Sequence, residues 1–334
     1  MKRIFAPTIA MLLLVSACGA GDQPASVTTG PVEAVTTTSA LPDETTTTTS
    51  APVEDPDFPV TIMDGMGEVT IESRPVAIVS LSPSSTEILF AVGAGDQVLA
   101  VDSLSNYPDT APLDPDLSAW TPNIEAIIGM NPDLVVISGD TGDLIAGLNA
   151  AGIPVVTHFA PATIDDVYAQ IEQVGVATGN IAGAAAVVAQ MQADIAGIIA
   201  GAPTFDVAPT YYHELDDTLY SVTTQTFIGQ VYGLLGMVSV ADPADADGSA
   251  YGYPQLSAEY LVDADPDLIF LADTICCGVT AESVAGRAGW ETMAAVQNGW
   301  IVQLNDDVAS RWGPRIVELM RAAADALSLV VSSD

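Results

Sequence analysis

The sequence predicts an α/β protein of two similar lobes, each built on a parallel sheet, joined by one long helix. Three observations predict this. Short apolar runs of strand length alternate with helix-like stretches from residue 76 to residue 330, and strands apolar on both faces belong to a parallel sheet covered on both sides. A helix–turn–strand unit occurs twice, as IEAIIGMNPDLVVI at 124–137 and AEYLVDADPDLIFL at 258–271, so Glu125 falls on Glu259 and Pro132 on Pro266 at a constant offset of 134 residues. Between the halves lies the alanine-rich NIAGAAAVVAQMQADIAGIIAG at 180–201. Read as a helix from Asn180 to a stop at Gly201, it is a rod of about 33 Å, long enough to cross from one lobe to the other. Each lobe is therefore expected to be Rossmann-like.

The chain begins MKRIFAPTIAMLLLVSAC. Two basic residues, a short apolar core and small residues before Cys18 have the order of a signal peptide, and the core is too short for a membrane-spanning helix. Val15-Ser16-Ala17-Cys18 resembles a bacterial lipobox, which makes 1–18 a lipoprotein signal with Cys18 as the lipidated residue. Residues 19–57 are Thr, Ser, Pro, Ala and acids without one aromatic. Nothing there can bury a core, and a disordered tether is expected.

The first lobe is assigned to 58–179. VAIVSL (76–81) is a strand, and Ser84 with Glu87 has the spacing of a capping box opening a helix that Gly93 stops. VLAV (98–101) is the next strand. Thr121-Pro122 places a cap and a first-turn proline before helix 122–130, and DLVVIS (133–138), a helix near 142–151 and IPVVTH (153–158) follow. The bridging helix occupies 180–201 and the second lobe 202–334. Strand TYYHEL (210–215), helix 224–235, the duplicate helix 257–264, strand LIFLA (268–272), helix 289–296, strand WIVQL (300–304) and a closing helix 313–330 complete it.

Seven basic residues stand against 43 acidic ones, a formal net charge of −36. Such a field repels nucleic acid and anionic headgroups, so no nucleic-acid partner is expected. Outside Cys18 the only cysteines are the adjacent Cys276 and Cys277, and there are two histidines. That is neither a disulfide framework nor a resident metal set, and no cofactor is expected. In an exported chain a disulfide between Cys276 and Cys277 stiffening a loop is favoured, with free thiols or thiolate ligation of cobalt or iron as alternatives.

Four ordered segments resemble one family. RPVAIVSLSPSSTEILFAVGAGDQVLAVDS, PNIEAIIGMNPDLVVIS, PQLSAEYLVDADPDLIFLAD and NGWIVQLNDDVASRWGPRIVELMRAAADAL are similar to the substrate-binding proteins of ABC importers for iron complexes and vitamin B12. The resemblance implies a non-enzymatic, lipid-anchored monomer outside the plasma membrane that closes two lobes on a siderophore, haem or cobalamin and delivers it to a permease dimer. It also implies that Glu125 and Glu259, one per lobe, dock on that permease; a pseudo-symmetric protein meeting a two-fold partner needs equivalent anchors.

Ligands of open parallel sheets sit beyond the carboxyl ends of the strands. The candidates there are Ser84, Tyr107 and Trp120 from the first lobe and His213, Tyr253, Arg311 and Trp312 from the second. The resemblance to B12-binding proteins puts Tyr107, Trp120 and Tyr253 in the cleft. Arg311 is a candidate partner for an anionic ligand group, while Arg315, inside the helix start, is expected to be structural. An exported α/β hydrolase is the competing reading, but no G-x-S-x-G turn occurs. A surface interaction module is the third.

Overall fold

Before the first apolar run the chain makes a structure not anticipated from sequence. In the computed structural model, which describes residues 57–331, strands Val60–Met63 (β1) and Glu68–Ile71 (β2) pair as an antiparallel hairpin. The expected signal, Cys18 and the tether up to residue 56 lie outside the described residues. The hairpin turn is organised by Asp64. One carboxylate oxygen accepts from the Met66 and Gly67 amides, and the other from the Thr157 amide at 2.7 Å, which pins the turn to the first lobe. Val60 and Ile62 are buried while their neighbours are exposed, a two-residue period too short to stand out in the sequence.

The first sheet is parallel and four-stranded. Its strands are Ile78–Leu81 (β3), Val98–Val101 (β4), Leu134–Ile137 (β5) and Val155–Thr157 (β6), in the order β4-β3-β5-β6. Helices Pro83–Ala91 (α1), Ile124–Gly129 (α2), Leu144–Ala150 (α3) and Ile164–Thr178 (α4) connect and cover them. Two expected caps are corrected. Helix α1 is capped by Ser82, whose side chain accepts from the Ser85 amide, with Pro83 in the first turn; Ser84 lies inside the helix and Glu87 is free for another task. Helix α2 is capped by Asn123, not Thr121, and Pro122 lies outside it.

Helix Ile181–Gly201 (α5) connects the lobes. By length and composition it could cross a membrane, but Ala184, Val188, Met191 and Ile195 form a buried stripe at helical spacing, packed against α4 and against the closing helix. Its first residues approach closely: a Cβ on Gly183 would lie 2.0 Å from the Val92 carbonyl oxygen.

The second sheet repeats the first. Thr210–Glu214 (β7) is followed by Phe227–Gly233 (α6), Val238–Ser239 (β8), Ala258–Ala264 (α7) and Leu268–Leu271 (β9). Then come Ala281–Ala285 (α8), Ala294–Asn298 (α9), Ile301–Gln303 (β10), Asp306–Ser310 (α10) and the closing Ile316–Val331 (α11). The order β10-β9-β7-β8 is that of the first sheet: in each, the strand formed first is flanked by the second and third, and the fourth lies outside the third. The duplicated unit therefore places α2–β5 and α7–β9 at equivalent positions.

The outer face of each sheet has its own core, around Val79, Val135 and Leu148 in one lobe and Ile269, Leu271 and Trp290 in the other. The third core is shared. It runs from Ile88 and Val136 through Val188 and Met191 of α5 and Leu319 of α11 to Tyr211 and Phe270. The lobes are thus wings of one compact body.

Candidate functional site

The carboxyl ends of β3 and β4 are fixed by a buried polar chain. Ser105 donates from Oγ to Asp102 at 2.6 Å, and Thr86 Oγ1 lies 2.8 Å from Ser80 Oγ and 3.0 Å from Ser105 Oγ. Burial pushes the Asp102 carboxyl above its ordinary value. The loop that follows, 102–107, is thereby held over α1, and it meets the second lobe.

That meeting is made of ions. Glu87, almost wholly buried on α1, accepts from Arg311 Nη1 at 3.0 Å and from Arg315 Nη2 on one carboxylate oxygen, and from Arg315 Nε at 2.8 Å on the other. Arg311 also donates to the Leu104 carbonyl at 3.0 Å, the Asn106 side chain at 2.9 Å and Asp307 at 2.6 Å. Asn106 returns a bond to Asp307 at 2.9 Å. In this conformation the Arg311 guanidinium, expected at the ligand, is engaged in holding the first lobe to α10. The Arg315 guanidinium carbon sits 4.0 Å from the centroid of the Tyr107 ring.

Ser84, Tyr107, Arg311 and Trp312 are brought together at this boundary, but Ser84 is buried, its carbonyl 3.7 Å from where a Cβ on Gly313 would stand. In this conformation Ser84 packs at the boundary. Trp312 is half-buried on the shared core, and its buried Nε1 has no hydrogen-bond partner. Trp120 and Tyr253 are exposed, Trp120 with 76% of its surface open. The Ser118 hydroxyl accepts from the Trp120 and Thr121 amides. In the second lobe, Asp245 accepts from the Ala250 and Gly252 amides at 2.7 and 2.6 Å. This holds Tyr251 in the left-handed region at φ 53° with 88% of its surface exposed, a costly conformation for a bulky residue.

His213, expected at the ligand, is buried. It lies inside β7 with no exposed surface, its Nδ1 2.9 Å from the Tyr232 hydroxyl, and burial lowers its pKa to about 3. His158, after β6, is buried too, and burial lowers it to about 4. Both imidazoles are enclosed by the protein in this conformation.

Beyond β9 the loop 274–278 carries the two cysteines, joined as a disulfide. Asp306 gathers it, accepting from the amides of Thr274, Ile275 and Cys276, so the disulfide loop rests on the helix that carries Asp307 and Arg311. Beneath it, Glu214 is buried and bonded to Arg287 through both carboxylate oxygens, at 2.5 and 2.6 Å. Asp273 is buried with neither oxygen hydrogen-bonded. Burial, then the Glu214 charge, raise its pKa to about 7. Sequence reading missed Asp102 and Asp273, and gave Glu87 to a helix cap rather than to the arginines. The one available signal was that so few cations had to find partners among so many acids.

Glu125 and Glu259 occupy the same place in each lobe. Both are exposed second residues of short capped helices, after caps Asn123 and Ser257 that each accept an amide three residues on. The largest cavity described, about 810 Å³, is elsewhere, at the amino ends of β5 and β6 beside Pro132, Gly152 and Glu68. Among the described residues no group of three or more His, Cys, Asp or Glu could hold a metal ion.

A family model described as periplasmic binding protein matches residues 78–308. An ABC transporter substrate-binding lipoprotein of Bacillus subtilis, YvrC, is 32% identical over 81% of this chain and 86% of its own length. A cobalamin-binding protein of Halobacterium salinarum is 33% identical over 80% of this chain and 74% of its own. Among solved structures, the periplasmic vitamin B12 binding protein BtuF of Vibrio cholerae superposes with a TM-score of 0.63 at 26% identity, over 77% of this chain and 98% of that one.

Proposed function

The chain belongs to the periplasmic binding protein family, a family of non-enzymatic solute-binding proteins, and from that premise we propose that it captures a corrinoid between the rims of its two lobes for an ABC importer. The observation that carries the choice of ligand is the commitment of the polar groups at the lobe boundary. Both histidines are buried, which leaves no imidazole for a haem iron. Arg311 and Arg315 are neutralised by Glu87 and Asp307 in a chain of net charge −36, which disfavours a polyanionic ferric siderophore. What the rims offer is aromatic: Tyr107 and Trp120 from one side, Tyr251 and Tyr253 from the other. Aromatic faces with a few polar groups suit a large, amide-bearing corrin ring. The likeness to a cobalamin-binding protein supports the same reading.

The protein is read as anchored outside the plasma membrane through a lipid on Cys18 and as presenting Glu125 and Glu259 to the permease. The test is calorimetric titration of the purified protein with cyanocobalamin, hemin and ferrichrome. Binding of cyanocobalamin alone is expected, and at 100 times its Kd it stabilises the protein by about 2.7 kcal/mol. Tight binding of hemin or ferrichrome without cyanocobalamin overturns the choice.

A further inference from the structure

We propose that Arg315 is a positioning residue for the ligand, acting through Tyr107: fixed by Glu87, its guanidinium sets the orientation in which the Tyr107 ring meets the bound molecule. The proposal rests on the cleft reading above and adds a residue that never touches the ligand. A guanidinium has two usable aspects, an edge of N–H donors and a flat face. Arg315 spends its edge on Glu87, through Nε at 2.8 Å and Nη2. Its face is thereby turned to Tyr107, with the cationic carbon 4.0 Å from the ring centroid, within the range of an attractive cation–π contact. Burial of Glu87 makes this edge pairing obligatory, because an unpaired carboxylate there would be costly.

Tyr107 needs such a support. It stands on a surface loop with 43% of its surface open, and a ring free to rotate would have to be ordered on binding. The residues before it are already tied down: Arg311 holds the Leu104 carbonyl and the Asn106 side chain, and Asp307 holds Asn106 from the other side. Both arginines converge on the one Glu87 carboxylate. Arg311 therefore fixes the backbone of the loop and Arg315 fixes its ring, both from the second lobe, so the aromatic contact of the first lobe is set by residues of the other. Lysine cannot replace Arg315, because an ammonium has no flat face and cannot bridge both oxygens of Glu87 in one plane.

The experiment measures cyanocobalamin affinity for the full chain and for Arg315→Lys, Arg315→Gln, Tyr107→Ala and the double variant Arg315→Lys/Tyr107→Ala, with 3-fluorotyrosine at position 107 read by fluorine NMR. Arg315→Lys and Arg315→Gln are expected to weaken binding about 3- to 30-fold, the range of one cation–π contact. The double variant should bind no more weakly than Tyr107→Ala alone, and the fluorine line of Arg315→Lys should shift or narrow. Arg315→Lys keeps a cation beside Glu87 and serves if Arg315→Gln fails to fold. Full additivity of the two losses, or unchanged affinity in Arg315→Lys, overturns the proposal. If wild-type protein binds no cyanocobalamin the ligand reading falls, and the fluorine line still decides: an unchanged line in Arg315→Lys shows that Arg315 does not hold the ring.

Discussion

Asn106 on the loop after β4 donates to Asp307 on α10 at 2.9 Å, so a residue of one lobe and a residue of the other, 201 positions apart in sequence, share a direct hydrogen bond. Arg311 lies across both and reaches Glu87 beneath. The lobes are therefore joined at the loop after β4 as well as through α5, and opening them wide would break a buried ion cluster. With α5 as a stiff rod and a core that continues through it, closure on a ligand is expected to be a small movement of the rims.

Glu87→Gln tests the cluster. It leaves two largely buried guanidinium groups facing a neutral amide, and loss of one partner from a buried ion set costs about 3–5 kcal/mol. The melting temperature is expected to fall by about 6–15 °C. Arg311→Ala should cost less, because Arg315 still satisfies Glu87. Equal melting temperatures for wild type and Glu87→Gln would show that the pairing contributes nothing net.

Asp273 gives a pH dependence with a definite sign. Its folded pKa of about 7 lies above the ordinary 3.8, so between those values the folded protein binds more protons than the unfolded chain. Stability from this group is present at pH 4 and is lost as pH rises toward 7. Asp273→Asn removes the ionisation. Its melting temperature should match wild type near pH 4, exceed it increasingly up to about pH 7, and keep a level margin above that. The buried histidines act the other way, since their folded pKa values of about 3 and 4 lie below the ordinary 6.5 and they destabilise on acidification in both proteins. Thermal melts across pH 4–8 check the difference between the two curves; a constant offset contradicts it.

Helix α5 offers the same substitution with opposite outcomes. At Gly183 an added Cβ would stand 2.0 Å from the Val92 carbonyl oxygen, a backbone atom that cannot step aside. Gly183→Ala is expected to cost about 2–3 kcal/mol, as overpacking does. Gly197, on the exposed side of the helix, has nothing within 4 Å of its built Cβ. Gly197→Ala should stabilise by about 0.5–1 kcal/mol through helix propensity alone. Denaturant melts of both variants check the two opposite shifts.

The lobes were legible where one element could reveal itself alone. Strands β5 and β9 are apolar throughout, and β3 is so but for Ser80, because both faces of each sheet are covered, and the 21-residue α5 follows from an unbroken helical pattern. The repeat was legible because its two copies hold equivalent places in sheets of the same strand order. The site was less so, because its partners are distant. Ser84 and Glu87 have capping-box spacing, yet Ser82 caps the helix and Glu87 pairs with residues more than 220 positions away. His213 ends an apolar run but points into the core beside Tyr232, since which face of a fully buried strand a residue takes cannot be told from a run without alternation. Arg311 and Arg315 were both noticed. Which one works for the ligand and which for the frame depends on Glu87 and Tyr107, four-way geometry that no local spacing encodes.

The last prediction concerns Glu125 and Glu259. Each is an exposed carboxylate in the first turn of a short helix, where the helix dipole favours it modestly, and nothing in the fold requires either. Alanine at both should therefore move stability by no more than about 1 kcal/mol and leave ligand affinity untouched, since neither lies among the rim aromatics. Transport should behave differently. If the two carboxylates engage equivalent basic pockets of a permease dimer, Glu125→Ala and Glu259→Ala each weaken delivery, and the double variant abolishes it. Uptake of labelled cyanocobalamin by cells carrying the double variant, set beside calorimetric affinity of the same purified protein, separates the outcomes. Full uptake by the double variant removes the docking role, and a loss of affinity would place these residues in the ligand site instead.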